Sequence, residues 1–319
     1  MQPRNRSALL LSLFSTALLQ PAEAKDLFIE GAKKTVVFVF ASGADGHLIP
    51  LGTGFLAGVN ISPKAQPDRF LEYFVTARHV VTDDLGRIYG NIFIRLNKRD
   101  GGSDFLHLDT TLNKQDFVFT HPDDTQVDLV VIPVALDDAK YDFVVVGESL
   151  VLTRDTFKQM EISEGADVFF AGLFLPFIGQ GRSYPVIRSG KVALITDERI
   201  PWRNGVNKPT EMAELLLLET QSFAGNSGSP VFVTVHSTAQ IGRTDLRLIG
   251  VMRGTFEQNR PVEAVPNDAM SVAKQNLGIA AVIPAYLLRD ILFGAPLKNF
   301  RKSLLTPPPK LDTGPPGSH

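Results

Sequence analysis

Gly225-Asn226-Ser227-Gly228-Ser229-Pro230-Val231-Phe232-Val233 joins a tight loop to a strand. Gly225 and Gly228 lack the Cβ that forbids strongly curled backbone, so this loop can aim a hydroxyl and several N–H groups at one point. From Pro230 the residues turn apolar, β-branched and aromatic, the chemistry of a strand over 230–235. A serine hydroxyl is a poor nucleophile, and needs a base within hydrogen-bond reach and a third group to fix that base's tautomer. Upstream, Asp128 heads the apolar run Leu129-Val130-Val131-Ile132-Pro133, and His79 ends Phe74-Val75-Thr76-Ala77-Arg78. A carboxylate leading into so apolar a strand is costly unless paired, and its natural partner is the second ring nitrogen of His79. Singly, each would read as a turn or surface residue. In the order His, Asp, Ser they are candidate base (His79), orienter (Asp128) and nucleophile (Ser227), an order that differs from other known arrangements of the three. The oxyanion-hole candidates are Gly225, Asn226 and Ser227, with the N–H groups of Gly225 and Ser227 as donors.

Outward from these residues the chain is a succession of short apolar runs separated by Gly, Pro, Asn and Asp. Runs at 35–41, 52–59, 72–76, 91–96, 116–120 and 128–134 read as strands of a first unit. Those at 168–174, 190–196, 215–220, 230–235, 246–253 and 279–283 read as a second set. So many short strands favour an all-β barrel or sandwich over alternating α/β units. The more polar 136–164 is the expected connection, giving a first unit at 25–145 and a second at 146–296. The latter ends in a helix that starts at Pro284 and stops at Gly294. The Pro-rich tail, drawn at 297–319, is expected to be disordered or extended.

The chain opens with Arg4 and Arg6, an apolar run over 8–19, and Ala22-Glu23-Ala24, the pattern of a secretory signal peptide (1–24) cleaved after Ala24. That run is too short to span a bilayer, and no later stretch is long and apolar enough, so an exported protein without a membrane anchor is expected, periplasmic or extracellular. Cleavage removes two positive charges and one negative, taking the formal charge from −2 to −3. Neither this balance nor any basic block suggests nucleic acid. Cysteine is absent, so no disulfide or thiolate metal site can form, which points to a bacterial protein stabilised by packing. His47, His107, His121 and His236 lack close zinc-ligand spacing, and no catalytic metal or cofactor is expected.

At these residues the chain resembles the bacterial trypsin-like serine peptidases, which share the chymotrypsin double β-barrel with the HtrA/Deg and glutamyl-endopeptidase branches. Gly52-Thr53-Gly54-Phe55-Leu56 looks like the family's early strand and Phe74-Val75-Thr76-Ala77-Arg78-His79-Val80-Val81 like its histidine motif. Gly165-Ala166-Asp167-Val168, Ala171-Gly172, Ser189-Gly190-Lys191-Val192, Leu248-Ile249-Gly250-Val251 and Gly278-Ile279-Ala280-Ala281-Val282-Ile283-Pro284 are similar to later barrel strands. The resemblance implies a chymotrypsin-like double six-stranded β-barrel with a short C-terminal helix and a site in the cleft between barrels. It also implies a polypeptide substrate and a Ser227–His79–Asp128 triad.

The chain departs from the family in three ways. Asn226 stands where animal trypsin-like enzymes carry an Asp that pairs with a new N-terminus, so the oxyanion loop must be shaped otherwise. No PDZ-like domain is expected after the terminal helix. The substrate-pocket candidates are Gln221, Ser222, Met252 and Arg253. They include neither the buried carboxylate that recognises Lys or Arg nor the histidine of glutamyl endopeptidases. An uncharged, small-to-medium residue before the scissile bond is therefore expected. A catalytically silent binding module on the same fold is the alternative, and an esterase or acyltransferase would use the same nucleophile.

Overall fold

The computed structural model describes residues 21–43, 45–62, 69–112, 115–203, 209–236, 244–261 and 272–305. The first unit opens with helix α1 (Pro21–Thr35). It continues through β1 (Val36–Ser42), β2 (Leu48–Asn60), β3 (Phe70–Ala77), β4 (Ile92–Asn97) and β5 (Ser103–Leu108). The short pair β6 (Thr111–Leu112) and β7 (Gln115–Asp116) follows, then β8 (Leu129–Val134) and β9 (Val146–Gly147). These make a seven-stranded sheet in the order β5-β4-β1-β2-β3-β8, with β9 parallel to β2, while β6 and β7 pair as a separate two-stranded sheet.

The second unit contains α2 (Arg154–Gln159), β10 (Asp167–Gly172), β11 (Val186–Leu194), β12 (Ile200–Trp202) and β13 (Glu211–Ala213). β14 (Leu216–Glu219), β15 (Pro230–His236), β16 (Thr244–Pro261) and β17 (Val272–Pro284) follow, then α3 (Ala285–Phe293) and α4 (Ala295–Leu305). Six of its strands close a barrel, β10-β11-β14-β17-β16-β15, and β12 and β13 pair as a separate ribbon. The fold is mostly β, a seven-stranded sheet followed by a closed six-stranded barrel with a few short helices.

The six runs expected between 168 and 283 are the six barrel strands. In the first unit the run at 116–120 shrinks to β7 and an isolated bridge between Phe119 and Val131. β5 is unforeseen because Ser103-Asp104-Phe105-Leu106-His107-Leu108 is mostly half-exposed and shows no apolar run. The unit boundary moves, since β9 at 146–147 still belongs to the first sheet. The connection also holds α2, capped by reciprocal bonds between Thr153 and Thr156.

The tail boundary at 297 also needs correction, because 297–305 lie inside α4. Its Leu297 and Arg301 are buried, Phe300 packs edge-on to Phe117, and Arg301 Nη1 donates to the Tyr73 hydroxyl at 3.3 Å. This stripe at i, i+3 and i+4 is helical, and is hidden by the charged residues between. Residues 306–319 and most of the expected leader lie outside the described residues; its cleavage point after Ala24 falls within α1.

Packing explains the rest of the layout. Val37, Leu56, Phe74, Ile92, Ile94, Val130 and Ile132 fill the first core, and Phe170, Leu218, Phe232, Ile249 and Val251 the second. Burying each such side chain is worth about 1.5–3 kcal/mol. Between the units Phe38 and Phe40 of β1 pack on Ala171 and Leu173. Beside them the buried Arg95 of β4 donates to the carbonyls of Ile178, Gly179 and Gln180 at 3.3, 2.8 and 2.6 Å, and Asn97 bonds reciprocally with Ser183. The seam is thus fixed by apolar contact and by hydrogen bonds to backbone of the second unit.

Candidate active site

His79 and Asp128 meet because β3 and β8 are antiparallel neighbours. Ala77 pairs with Leu129, so His79, in the single turn Arg78–Val80 after β3, faces the residue just before β8. The ladder runs one bond further, Arg78 N–H to Asp128 O at 3.0 Å. The carboxylate then takes two bonds from His79, the backbone N–H on Oδ1 at 2.9 Å and ring Nδ1 on Oδ2 at 2.6 Å. A carboxylate only accepts, so Nδ1 carries the proton, and of the two neutral tautomers this is the one that leaves Nε2 as an acceptor. Asp128 is buried while His79 keeps 31% of its side chain exposed, which leaves the ring's far edge accessible. Burial pushes the Asp128 carboxyl up. The His79 ring, the bonds from His79 and the charge of Arg253 outweigh this and hold it below the usual carboxylate range.

The serine loop is held from three sides. Ser227 O accepts from Thr53 N at 3.0 Å, Gly228 N donates to Met252 O at 2.8 Å, and Thr53 Oγ1 donates to Gly225 O at 2.6 Å. Thr53 Oγ1 also accepts from Leu173 N at 2.9 Å, and Thr53 O accepts from the Thr76 hydroxyl at 2.6 Å. One buried threonine of the first unit therefore pegs the loop of the second. Gly228 has φ +85°, and a Cβ there would stand 1.9 Å from Thr53 O, so the close approach requires glycine. Gly225 also lies in the left-handed region, at φ +95°. The Ser227 hydroxyl donates to the carbonyl of Arg253 at 3.0 Å.

Asn226 has a different place from the one expected. Its N–H donates to Phe223 O at 3.0 Å and its Nδ2 to Leu173 O at 2.8 Å, while Oδ1 accepts from Phe223 N at 3.0 Å. With its N–H committed, Asn226 drops out as an oxyanion donor and instead shapes the loop, which explains how the loop is held without an acid at this position. The N–H groups of Gly225 and Ser227 have no hydrogen bond to backbone or side chain among the described residues.

Of the pocket candidates, Gln221 is exposed. Ser222 is buried and its carbonyl accepts from Asn276 Nδ2 at 2.6 Å. Met252 is fully buried, and its backbone brackets the serine loop through Gly228 N and Ser229 O. Arg253 is 2% exposed and its guanidinium turns inward, to Asp128 and Glu211. A small cavity there is lined by Asp124, Val127, Asp128, Glu214 and Arg253.

The sequence reading missed the pegging role of Thr53 and the direction of Arg253. The two glycines flanking Thr53 are a usable signal of close backbone approach, whereas nothing local marks Arg253. Among the described residues no group of three His, Cys, Asp or Glu is placed to hold a metal, and His107 stands edge-on to Phe93.

No family model and no curated protein matches this chain. Among solved structures, the Rv3671c protease of M. tuberculosis in its active form aligns at 16% identity and TM-score 0.43, covering 92% of each chain. An inactive form of the same protein, a serine-to-alanine mutant, aligns at 16% identity and TM-score 0.42 over 88% of this chain and 96% of the other.

Proposed function

We propose that this chain is an exported serine endopeptidase that cleaves polypeptides through an acyl-enzyme. The observation that carries the reading is the doubly bonded His79–Asp128 pair beside a glycine-curled loop that presents Ser227. In the proposed reaction the Ser227 hydroxyl rotates from Arg253 O to His79 Nε2. Nε2 takes the proton as Oγ bonds to the scissile carbonyl carbon, and the resulting imidazolium is held by Asp128. Negative charge moves onto the carbonyl oxygen, where the N–H groups of Gly225 and Ser227 would receive it; one such donor is typically worth about 3–4 kcal/mol. Collapse breaks the C–N bond, with the Nε2 proton passing to the leaving amine. Water then attacks the ester by the same route, returning the proton to Ser227. The leader pattern supports export, and the absence of a charged group at Gln221 and Ser222 supports an uncharged residue before the scissile bond.

Fluorophosphonate labelling of the purified mature chain, read by intact mass, tests the proposal. One adduct is expected, lost in Ser227→Ala and His79→Ala. Hydrolysis of an unfolded protein should fall by up to ~10⁶-fold in Ser227→Ala, the scale seen when another serine protease loses its nucleophile. Full activity in that variant would sink the reading.

The bond from Ser227 Oγ to Arg253 O favours a second reading, a silent binding module in which the hydroxyl stays turned from the base. Stoichiometric partner binding with no adduct on the wild-type chain would select it. An ester cleaved while the matching amide is not would indicate an esterase.

A further inference from the structure

Arg253 is an extra residue in the β16–β17 ladder, where Met252 pairs with Val282 and Gly254 with Ala281. Such a bulge re-aims a side chain, and here it drives a guanidinium into the space behind Asp128. Nε lies 3.3 Å from Asp128 Oδ2, Nη2 donates to Glu211 Oε2 at 2.9 Å, and the group stacks 5.4 Å from the Trp202 ring centre. Nε makes no aligned hydrogen bond, so its hold on Asp128 is one of charge. The side chain is 1% exposed, against 34% for Glu211. Burying a cation is expensive even when paired, and a neutral side chain would fill the same space without that cost.

We infer that Arg253 is a positioning residue of the candidate triad, its cation steadying the Asp128 carboxylate and offsetting part of its charge toward His79, while Glu211 sets how much is offset. The inference deepens the serine-peptidase reading and depends on it only for the consequence in rate. The positive charge of Arg253 stands behind the carboxylate whose negative charge faces the His79 ring. Glu211, bonded to Arg253 from the far side, tempers that positive charge. The other charged groups nearby are engaged elsewhere. Asp124 pairs with Arg199, Glu214 with Arg154, His121 with Asp290, and Arg78 donates to Thr125 O.

The test follows the His79 Cε1–H signal by NMR against pH in the wild-type chain and in Arg253→Gln, Arg253→Lys and Glu211→Gln, with His79→Gln to assign it. Loss of the cation in Arg253→Gln should move the midpoint up by about one pH unit. Glu211→Gln should move it down by a smaller step, and Arg253→Lys should leave it within a few tenths of a unit of wild type. The pH profile of fluorophosphonate labelling should move in parallel. A merely structural ion pair would lower stability without these opposed shifts. Unchanged midpoints in folded Arg253→Gln and Glu211→Gln overturn the inference, and if Arg253→Gln does not fold, the half-exposed Glu211→Gln decides alone. Shifted midpoints in a chain that never labels would uphold the positioning role and remove the peptidase reading. Labelling with unmoved midpoints would do the reverse.

Discussion

Asp128 shows how much one side chain carries here. It accepts the His79 backbone N–H and ring Nδ1–H, so it fixes both the position and the tautomer of that ring. Asp128→Asn would turn one of those acceptors into an amide donor facing Nδ1, or leave Nδ1–H poorly bonded, and so favour the tautomer with its proton on Nε2. We expect a fall in kcat of ~10⁴-fold with the fold retained, the size found for the same change in a triad of the same order. Labelling rate together with the melting temperature separates this from unfolding. A variant with near wild-type labelling would mean that Asp128 does not orient the base. Asn226 teaches a complementary lesson: an amide can do by two-way hydrogen bonding to Leu173 and Phe223 what a carboxylate cannot, since only the amide both donates and accepts.

At the level of elements, the serine loop is shaped by what crosses it. Thr53 on β2 reaches Gly225, Ser227 and Leu173, and this approach leaves no room at Gly228. Gly228→Ala combines a φ of +85° with a clash at 1.9 Å against backbone, and should cost more than about 4 kcal/mol or prevent folding. Gly86, at φ +77° with nothing within 4 Å of an added Cβ, is the control: Gly86→Ala carries the conformational cost alone, ~1–2 kcal/mol. Urea denaturation of both variants would measure the difference, and equal losses would mean that the Thr53 contact does not shape the loop.

Across the whole molecule, buried and half-buried carboxylates near the site are held by bonds between the units and within the second one. Asp124 of the first unit bonds to Arg199 of the second, and Glu214 to Arg154 and the Tyr286 hydroxyl. For Asp124, Glu214 and Asp128, burial pushes the carboxyl up and these bonds, or those of His79 with the charge of Arg253, outweigh it, so each sits below its ordinary value. A carboxyl depressed on folding adds stability that is full above its unfolded pKa, about 4, and is lost as pH falls through the lower folded value. The melting temperature should therefore hold from pH 6 to about 5 and drop steeply below about 4. A flat profile down to pH 3 would show that these ties contribute little.

Much of this was legible in the chain itself. The apolar runs foretold all six strands of the closed barrel, because such a barrel turns one face of its strands to the core and leaves a strong local signal. The first-unit edge strand β5 and the helix α4 were not legible, since alternating or charge-interrupted patterns acquire meaning only against the surface they cover. The candidate residues His79, Asp128 and Ser227 could be named from type and order. That Asp128 lies beside His79 follows from the pairing of β3 with β8, and no local pattern states it. Sequence determined the strand chemistry, the glycine-curled loop and the three chemical groups, because these depend on each residue's own side chain and backbone freedom. Tertiary structure alone decided that Asn226 braces the loop, that Thr53 pegs it across the seam, and that a bulge turns Arg253 onto Asp128. Those outcomes depend on which backbone atoms and charges arrive from residues distant in the chain.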